Sequence, residues 1–492
     1  MFGEYVYEKS SAAYTNLIWI KDAEHLYRIA PYNQAFTAHG FEVVKYKDDL
    51  SFRVEYEQRV KAGNDKIAVI DIGKEFVPYD IIKCFSVYEV SMQSLFPKLN
   101  SDVLRKKSRI DLDLLTNVVL QNFDDLTRAE LTERFFETAV YSKENLLEFF
   151  QEKLEGVLKV AGANATDCSP SYRDWYRIAE EKALIDRYSV RYGLGIDTAE
   201  INKLFQSYVL DSFGTLSTTL DGKTPVLVSR AMEYMHEHSE KFAVIVMDGM
   251  SEFDWGIISK SFAGIKYEQS AMFAMIPSTT SISRQCLLAN KFPSQLINPW
   301  VQSKEKLEFT ECAKSLGYSA NQIEYSRGYD ADFDSAIRCG AVIINDVDDL
   351  VHGQQQGRLG MYNDVSVLAD ERKLRQLTER LLAGGFDVYI TADHGNTLCT
   401  GKGKFVGAGV DVETKSHRMA VLKDFADKAK MMEKFGLIEY PKYYLPKEYD
   451  YLICDTDSSL DSSGAQVMTH GGMTIDEVVV PFIKIKAVQN NG

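Results

Sequence analysis

The sequence is short of the features that would hold a chain together covalently or seat it in a membrane. Its seven cysteines, at positions 84, 168, 286, 312, 339, 399 and 454, are scattered and form no CxxC pair. That argues against a zinc ribbon or a disulfide framework and leaves most of them as buried small apolar residues. No run of about 18 apolar residues occurs, so no membrane-spanning helix and no membrane partner are expected. The opening stretch MFGEYVYEKSSAAY lacks the basic-then-apolar order of a signal peptide, and the protein reads as cytoplasmic. Positive charge is in deficit: 56 Lys and Arg against 71 Asp and Glu leave a net charge of −15. No global attraction therefore draws nucleic acid or an acidic membrane to this chain, and a polyanion must be held locally, as bound dications would do. Internal repeats, heptad arrays and low-complexity tracts are also missing.

What is present is ordinary globular material, 45% hydrophobic and 26% charged over 492 residues, enough for roughly two to four structural units. Short apolar runs at Asn16–Ile20, Phe41–Tyr46 and Lys66–Ile72, with amphipathic stretches between them, predict a small parallel α/β domain over residues 1–95. Helical spacing at Leu112–Leu120, Ala129–Ala139 and Lys143–Val160 predicts a mainly helical region over 96–235, with a loop at Ala161–Pro170. From 236 to 492 the strand pattern returns. The runs Phe242–Met247, Ala341–Ile344, Phe386–Thr391, Tyr451–Cys454 and Val478–Ile485 are almost wholly apolar, as expected of strands buried on both faces between helices. The candidate ligands below lie just past these runs or close beside them, where sites form in open α/β sheets.

Five motifs carry chemistry. FAVIVMDGMSEFDW delivers Asp248 from a strand into a glycine turn, where a carboxylate binds a cation or simply caps the turn. In MIPSTTSISRQCLLANKFP, Ser278 or Thr279 would cap a helix and Thr280 would sit at its N-terminus, a place that favours phosphate. A hydroxyl there needs a base or a metal to become a nucleophile. AVIINDVDDLVHG places Asp348 and His352 four apart on one helical face, with Asp346 and Asp349 as competing carboxylates. DVYITADHGNT ends a strand in adjacent Asp393 and His394, the strongest single metal signal, with Gly395 permitting a tight turn. VMTHGGMTIDEVVVPFI sets His470 before two glycines and the last strand. Only eight histidines occur in the chain, and three of them fall in these motifs.

In order, MDGM, PSTT, DDLVH, ADHG and THGGMTIDEVVVP resemble the motifs of the alkaline phosphatase superfamily, specifically its PglZ branch, over about residues 240–490. The resemblance implies an alkaline-phosphatase-like three-layer sandwich in the C-terminal half and two divalent metal ions, zinc or manganese. One ion would be held by Asp248, Thr280, Asp393 and His394, and the other by Asp348, His352 and His470. The family's P-S-x-T pattern selects Thr280 over Thr279 as nucleophile. In-line attack by Thr280 and a phosphothreonine intermediate would follow. Two dications balance three aspartates and a threonine alkoxide, which suits a diester monoanion, whereas a monoester would want further cations such as Arg284, Lys415 or Arg418.

PglZ proteins are associated with BREX-type phage resistance, and a relative fused to a receiver domain resembles a phosphodiesterase of oligonucleotides. The implied function is thus a phosphodiesterase or phosphatase in antiviral defence or signalling. Its substrate would be an oligonucleotide or cyclic nucleotide, and its partners other defence proteins or a second copy of the chain. The alternative is a non-catalytic scaffold subunit of a defence complex. Sulfatase chemistry is disfavoured because its oxidised nucleophile arises from Cys or Ser in another local motif, and a mutase would interconvert isomers. Asp22, Glu24 and Asp71 resemble a receiver's acidic cluster, but no switch Thr and Lys follow, so a functional receiver is not expected. GKGKFVGAG at 401–409 lacks the P-loop pattern and reads as a loop near the site. PKYYLPKEYDY at 441–451 reads as packing material, with stacking on a nucleic acid strand as its alternative.

Overall fold

Strands and helices form where the two hydrophobic periods demand them. The structure, a computed structural model, describes residues 1–73, 76–118, 125–162, 169–404, 416–423 and 428–487. It divides into two units, Met1–Glu152 and Lys153–Gly492, and the helical stretch expected over 96–235 falls in both. Part of the expected loop at Ala161–Pro170 lies outside the described residues.

In the first unit β1 (Leu17–Lys21), β2 (Glu42–Lys45), β3 (Ile67–Asp71) and β4 (Ser86–Glu89) form a wholly parallel sheet in the order β2-β3-β1-β4. The sequence SVYE of β4 is mostly exposed, so it carries no apolar run by which an edge strand is recognised. Trp19 fills the core beside Tyr46, Phe52 and Phe85. The acidic residues here have internal partners. Asp22 accepts the backbone N–H groups of Leu26 and Tyr27 at 2.8 Å, and Asp71 accepts Trp19 Nε1 at 3.0 Å.

The second unit contains β5 (Phe242–Met247), β6 (Glu268–Phe273), β7 (Ile323–Arg327), β8 (Cys339–Ile344), β9 (Asp387–Thr391), β10 (Thr397–Gly401), β11 (Met419–Leu422), β12 (Leu437–Glu439), β13 (Asp450–Cys454), β14 (Ser458–Ser459), β15 (Gln466–Thr469) and β16 (Val479–Ile485). The main sheet runs β6-β16-β9-β5-β8-β7. Within it β9, β5, β8 and β7 are parallel, and β16 is antiparallel to both its neighbours. Every residue of β5 and β8 is buried, which is why these strands read as continuous apolar runs rather than alternating ones. The Tyr451–Cys454 run does not join them: it lies in β13 of a separate antiparallel sheet, β11-β13-β12. Its burial comes from a satellite core of Leu422, Phe435, Leu437 and Leu460.

A buried ionic cluster ties two helices to the short helix Ile475–Val478 that leads into the last strand. Lys182, on the helix Tyr172–Tyr192, donates to Asp186 at 2.7 Å and to both oxygens of Asp476 at 2.8 and 2.9 Å. Arg358 adds a contact of 3.0 Å to Asp476. Burial works to raise the Asp476 pKa, but Lys182 and Arg358 outweigh it and hold the carboxyl below its ordinary range. Removing one partner of such a cluster leaves buried charge uncompensated. Lys182→Met is expected to cost about 3–5 kcal/mol in chemical denaturation, while Lys314→Met, which breaks a half-exposed pair with Glu311, should cost less than about 1 kcal/mol.

Candidate metal centre

The C-terminal ends of β5, β8 and β9 deliver the acidic groups to one side of the main sheet. Asp248 directly follows β5, and its backbone N–H extends the ladder to Ile344 O at 2.8 Å. Gly249, at φ 73°, then turns the chain beside Asp348, a left-handed conformation that favours glycine. Asp348 lies in the first turn of the helix Asp346–Gly353 that follows β8. Asp393 and His394 leave β9. Gly395 has no unusual φ; it is needed because a Cβ would lie 2.0 Å from Asp476 O.

Two groups of ligand atoms result, Asp248 with Asp393 and His394, and Asp348 with His394 and His470, each set within 4.8 Å. His394 belongs to both, and its ring stacks on His470 at 4.2 Å between centroids. Both imidazoles are oriented through Nδ1, which faces a carbonyl: Gly395 O at 3.0 Å for His394 and Ser278 O at 3.0 Å for His470. A carbonyl only accepts, so Nδ1 carries the proton and Nε2 presents a lone pair to the carboxylates. Nε2 of His394 lies 3.5 Å from Asp248 Oδ1, and that of His470 lies 3.4 Å from Asp348 Oδ1.

The electrostatics follow from burial. Burial and the charge of Asp248 push the Asp393 pKa well up. Burial also works to raise Asp348, but His352, His470 and His394 outweigh it and hold this carboxyl low. Burial, joined by repulsion from His394, lowers His470 to about 4, so at neutral pH its ring is uncharged, the form a cation would require. Two buried oxygens, Asp348 Oδ1 and Asp393 Oδ2, have no hydrogen-bond partner among the described residues. Orphaned carboxylate oxygens facing imidazole lone pairs fit a divalent cation of mixed N and O preference.

The remaining candidates are placed as follows. Thr280 Oγ1 lies 3.3 Å from Asp248 Oδ1 and 3.1 Å from His394 Nε2. Thr279 Oγ1 instead meets Ser281 Oγ at 3.3 Å. The expected cap does not form: Ser278 Oγ donates to Gly472 O and accepts from Gly471 N, both at 3.0 Å. Thr280–Arg284 is a wide π-type turn before a helix of only five residues, Gln285–Ala289, so the dipole expected behind Thr280 is not supplied. His352 stands outside the three-atom sets. It is 58% exposed and faces the other Asp348 oxygen, Oδ2, at 3.4 Å. Asp346 accepts from Tyr329 OH at 2.9 Å, and Asp349 is exposed.

Arg284 and Arg418 do not serve as free cations for a substrate. Arg284 is fully buried, with Nη1 at 2.5 Å from Asp248 Oδ2 and Nε at 2.6 Å from Glu305. Arg418 is equally buried and donates to Glu477 at 3.1 Å and Ser458 O at 2.6 Å. Lys415 and residues 405–409 of the 401–409 loop lie outside the described residues. The tyrosines of 441–451 are packed: Tyr443 and Tyr444 donate to Leu210 O and Phe213 O, and Tyr451 donates to Pro446 O.

Several supporting residues carry no local signal. Glu305, which anchors Arg284, is 21 residues away in sequence. Glu477 accepts from Gly472 N at 2.8 Å and Thr474 Oγ1 at 2.7 Å, so it braces the His470 loop. That one was open to detection, because Thr474-x-x-Glu477 is a capping box.

Residues 227–485 match the family model described as the BREX system PglZ alkaline phosphatase-like domain. No curated protein matches the chain. Among solved structures, murine ectonucleotide pyrophosphatase/phosphodiesterase 5 is 13% identical, with 50% of this chain and 88% of that one covered and a TM-score of 0.34. The human counterpart is 13% identical over 50% and 87%, also at 0.34. Phosphonoacetate hydrolase from Sinorhizobium meliloti 1021 with phosphonoacetate is 12% identical over 52% and 92%, again at 0.34.

A cation that binds only the folded site stabilises it by mass action, about 2.7 kcal/mol at about 100 times its Kd. Adding Zn²⁺ or Mn²⁺ to chelator-treated protein should therefore raise the calorimetric midpoint, and Asp393→Asn should lose the increment. An unmoved wild-type midpoint would remove the metal reading.

Proposed function

Because the chain belongs to the PglZ family of BREX-system alkaline-phosphatase-like domains, we propose that it is a metal-dependent phosphoester hydrolase with Thr280 as nucleophile, acting on phosphodiesters of the nucleotide class. The observation that carries this reading is the position of Thr280 Oγ1, 3.1 Å from His394 Nε2 and 3.3 Å from Asp248 Oδ1. In it, Asp248, Asp393, His394 and Thr280 would hold one cation, and Asp348, His352 and His470 the other, zinc or manganese. When bound, such cations lower the pKa of a ligated hydroxyl and offset phosphate charge.

The chain's own residues account for the rest. Asp248 accepts the Thr280 hydroxyl on its inner oxygen, while Arg284 fixes its outer one. The Gly395 carbonyl fixes the His394 ring and the Ser278 carbonyl that of His470, so neither ligand has to reorganise when charge develops. Asp248, Asp393, His394 and His470 are all buried, which excludes water from the side of the threonine opposite the substrate. Thr280 Oγ would then attack phosphorus in line with the departing ester oxygen.

One observation favours a second reading, a folded scaffold subunit without turnover. Arg284 already compensates Asp248, so the carboxylate cluster is partly neutralised by the protein itself. The readings part on bis-p-nitrophenyl phosphate with Zn²⁺ or Mn²⁺. The hydrolase reading expects turnover that Thr280→Ala lowers by about 10³-fold or more and that Thr279→Ala lowers by less than about tenfold. A folded, metal-loaded wild type inert on this ester and on short oligonucleotides would leave the scaffold reading.

A further inference from the structure

A second histidine–carboxylate pair lies outside both ligand groups. In the segment Ser416-His417-Arg418 the two flanking residues are tied to the loop that carries His470. Ser416 Oγ donates to His470 O at 3.5 Å and packs on Gly471, where a Cβ would be 1.8 Å away. Arg418 donates to Glu477, which in turn holds Gly472. The backbone between them is clamped on both sides. Leu460 N donates to His417 O at 2.6 Å, and Cys454 N donates to Arg418 O at 2.8 Å.

His417 itself leaves this packing, with its side chain 58% exposed. Its Nδ1 is hydrogen-bonded to Asp461 Oδ1, and the other Asp461 oxygen accepts Ser459 Oγ at 2.8 Å. The carboxylate is thus fixed from two sides. Nε2 of His417 has no partner among the described residues. The positive charges of His352 and Lys404 work against the charged form of the His417 ring. An exposed ion pair contributes little to stability, and the backbone clamps hold the segment without it. What the pair does provide is an imidazole of fixed orientation on a segment that packs against the His470 loop.

We propose that His417, oriented by Asp461, is the catalytic acid that protonates the departing ester oxygen. The proposal rests on the phosphoester hydrolase reading above. Thr280 Oγ forms its bond to phosphorus and its proton goes to solvent. The bond from phosphorus to the ester oxygen breaks, and the electron pair stays on that oxygen, which takes the Nε2 proton and departs as an alcohol. In the second half water forms the new bond to phosphorus and the bond to Thr280 Oγ breaks. One water proton returns to Thr280 Oγ and the other to His417 Nε2. The hydrogen bond to Asp461 raises the His417 pKa, against the opposing effects of burial, His352 and Lys404, which keeps the ring in its donating form closer to neutral pH.

An acid matters in proportion to how poorly the leaving group carries negative charge. With bis-p-nitrophenyl phosphate, whose phenolate leaves unaided, His417→Ala should lose less than about tenfold in kcat/KM. With diphenyl phosphate the loss should be at least about tenfold greater, and Asp461→Asn should show the same selectivity at smaller size. The zinc content and thermal midpoint of His417→Ala should equal those of the wild type. Equal losses on both esters, no loss on either, or a fall in zinc content would overturn this proposal alone. A metal-loaded wild type inert on both esters would overturn the hydrolase reading, and this proposal with it.

Discussion

Three carboxylates, Asp248, Asp348 and Asp393, are driven together by strands that must run parallel to bury both their faces, and this crowding of like charge governs everything around it. Coulomb repulsion that water would screen is strong in a buried site. The response is visible in opposite shifts: Asp393, closed off by burial and faced by Asp248, is pushed up, while Asp348, faced by three imidazoles, is held down. Arg284 relieves part of the strain from behind Asp248, and Glu305 balances Arg284 in turn. This leaves Asp393 Oδ2 and Asp348 Oδ1 without hydrogen-bond donors among the described residues. Natural proteins rarely leave such atoms without a use.

Holding the cluster requires a frame that resists it. The parallel register of β5 with β8 and β9 fixes where Asp248, Asp348 and Asp393 emerge. His470 comes from a different sheet, in which β15 pairs with β10, so the site depends on the loop joining β15 to β16. That loop is braced from inside by Glu477 and Arg418, and from outside by Asp476 with Lys182 and Arg358. Adjacent acidic residues therefore face opposite ways, one towards the His470 loop and one towards the surrounding helices.

Four strands of the central sheet, β5, β8, β9 and β16, were legible because continuous burial leaves a continuous apolar run, whereas its half-buried β6 and β7 were not read. The same signal misassigned Tyr451–Cys454, since burial in a satellite core resembles burial in the main one. It missed β4 altogether, as an exposed edge strand need not be apolar. In the site, pairs adjacent in sequence were readable, such as Asp393 with His394. Groups that meet only through the fold were not: nothing near Arg284 announces Glu305, and nothing near His417 announces Asp461, 44 residues on. Arg284 and Arg418 were expected as further cations for a substrate, whereas each is buried against a carboxylate that the sequence places far away.

These positions shift where positive charge for a phosphate has to come from. A chain of net charge −15 offers no general attraction. The wide turn at Thr280 and its five-residue helix give little dipole, and Arg284 and Arg418 are committed to carboxylates. Among the described residues, what remains is the candidate ligand groups with whatever cations they would bind, His352 beside Asp348, and His417 on the segment that packs against the His470 loop. A site whose fixed arginines all serve carboxylates gains little from a doubly charged monoester, whose extra charge would have no fixed partner. A diester brings one charge fewer and a leaving group that needs a proton. On that ground the proposed preference for diesters and the proposed acid His417 have one origin: Arg284 and Arg418 are already engaged in holding carboxylates.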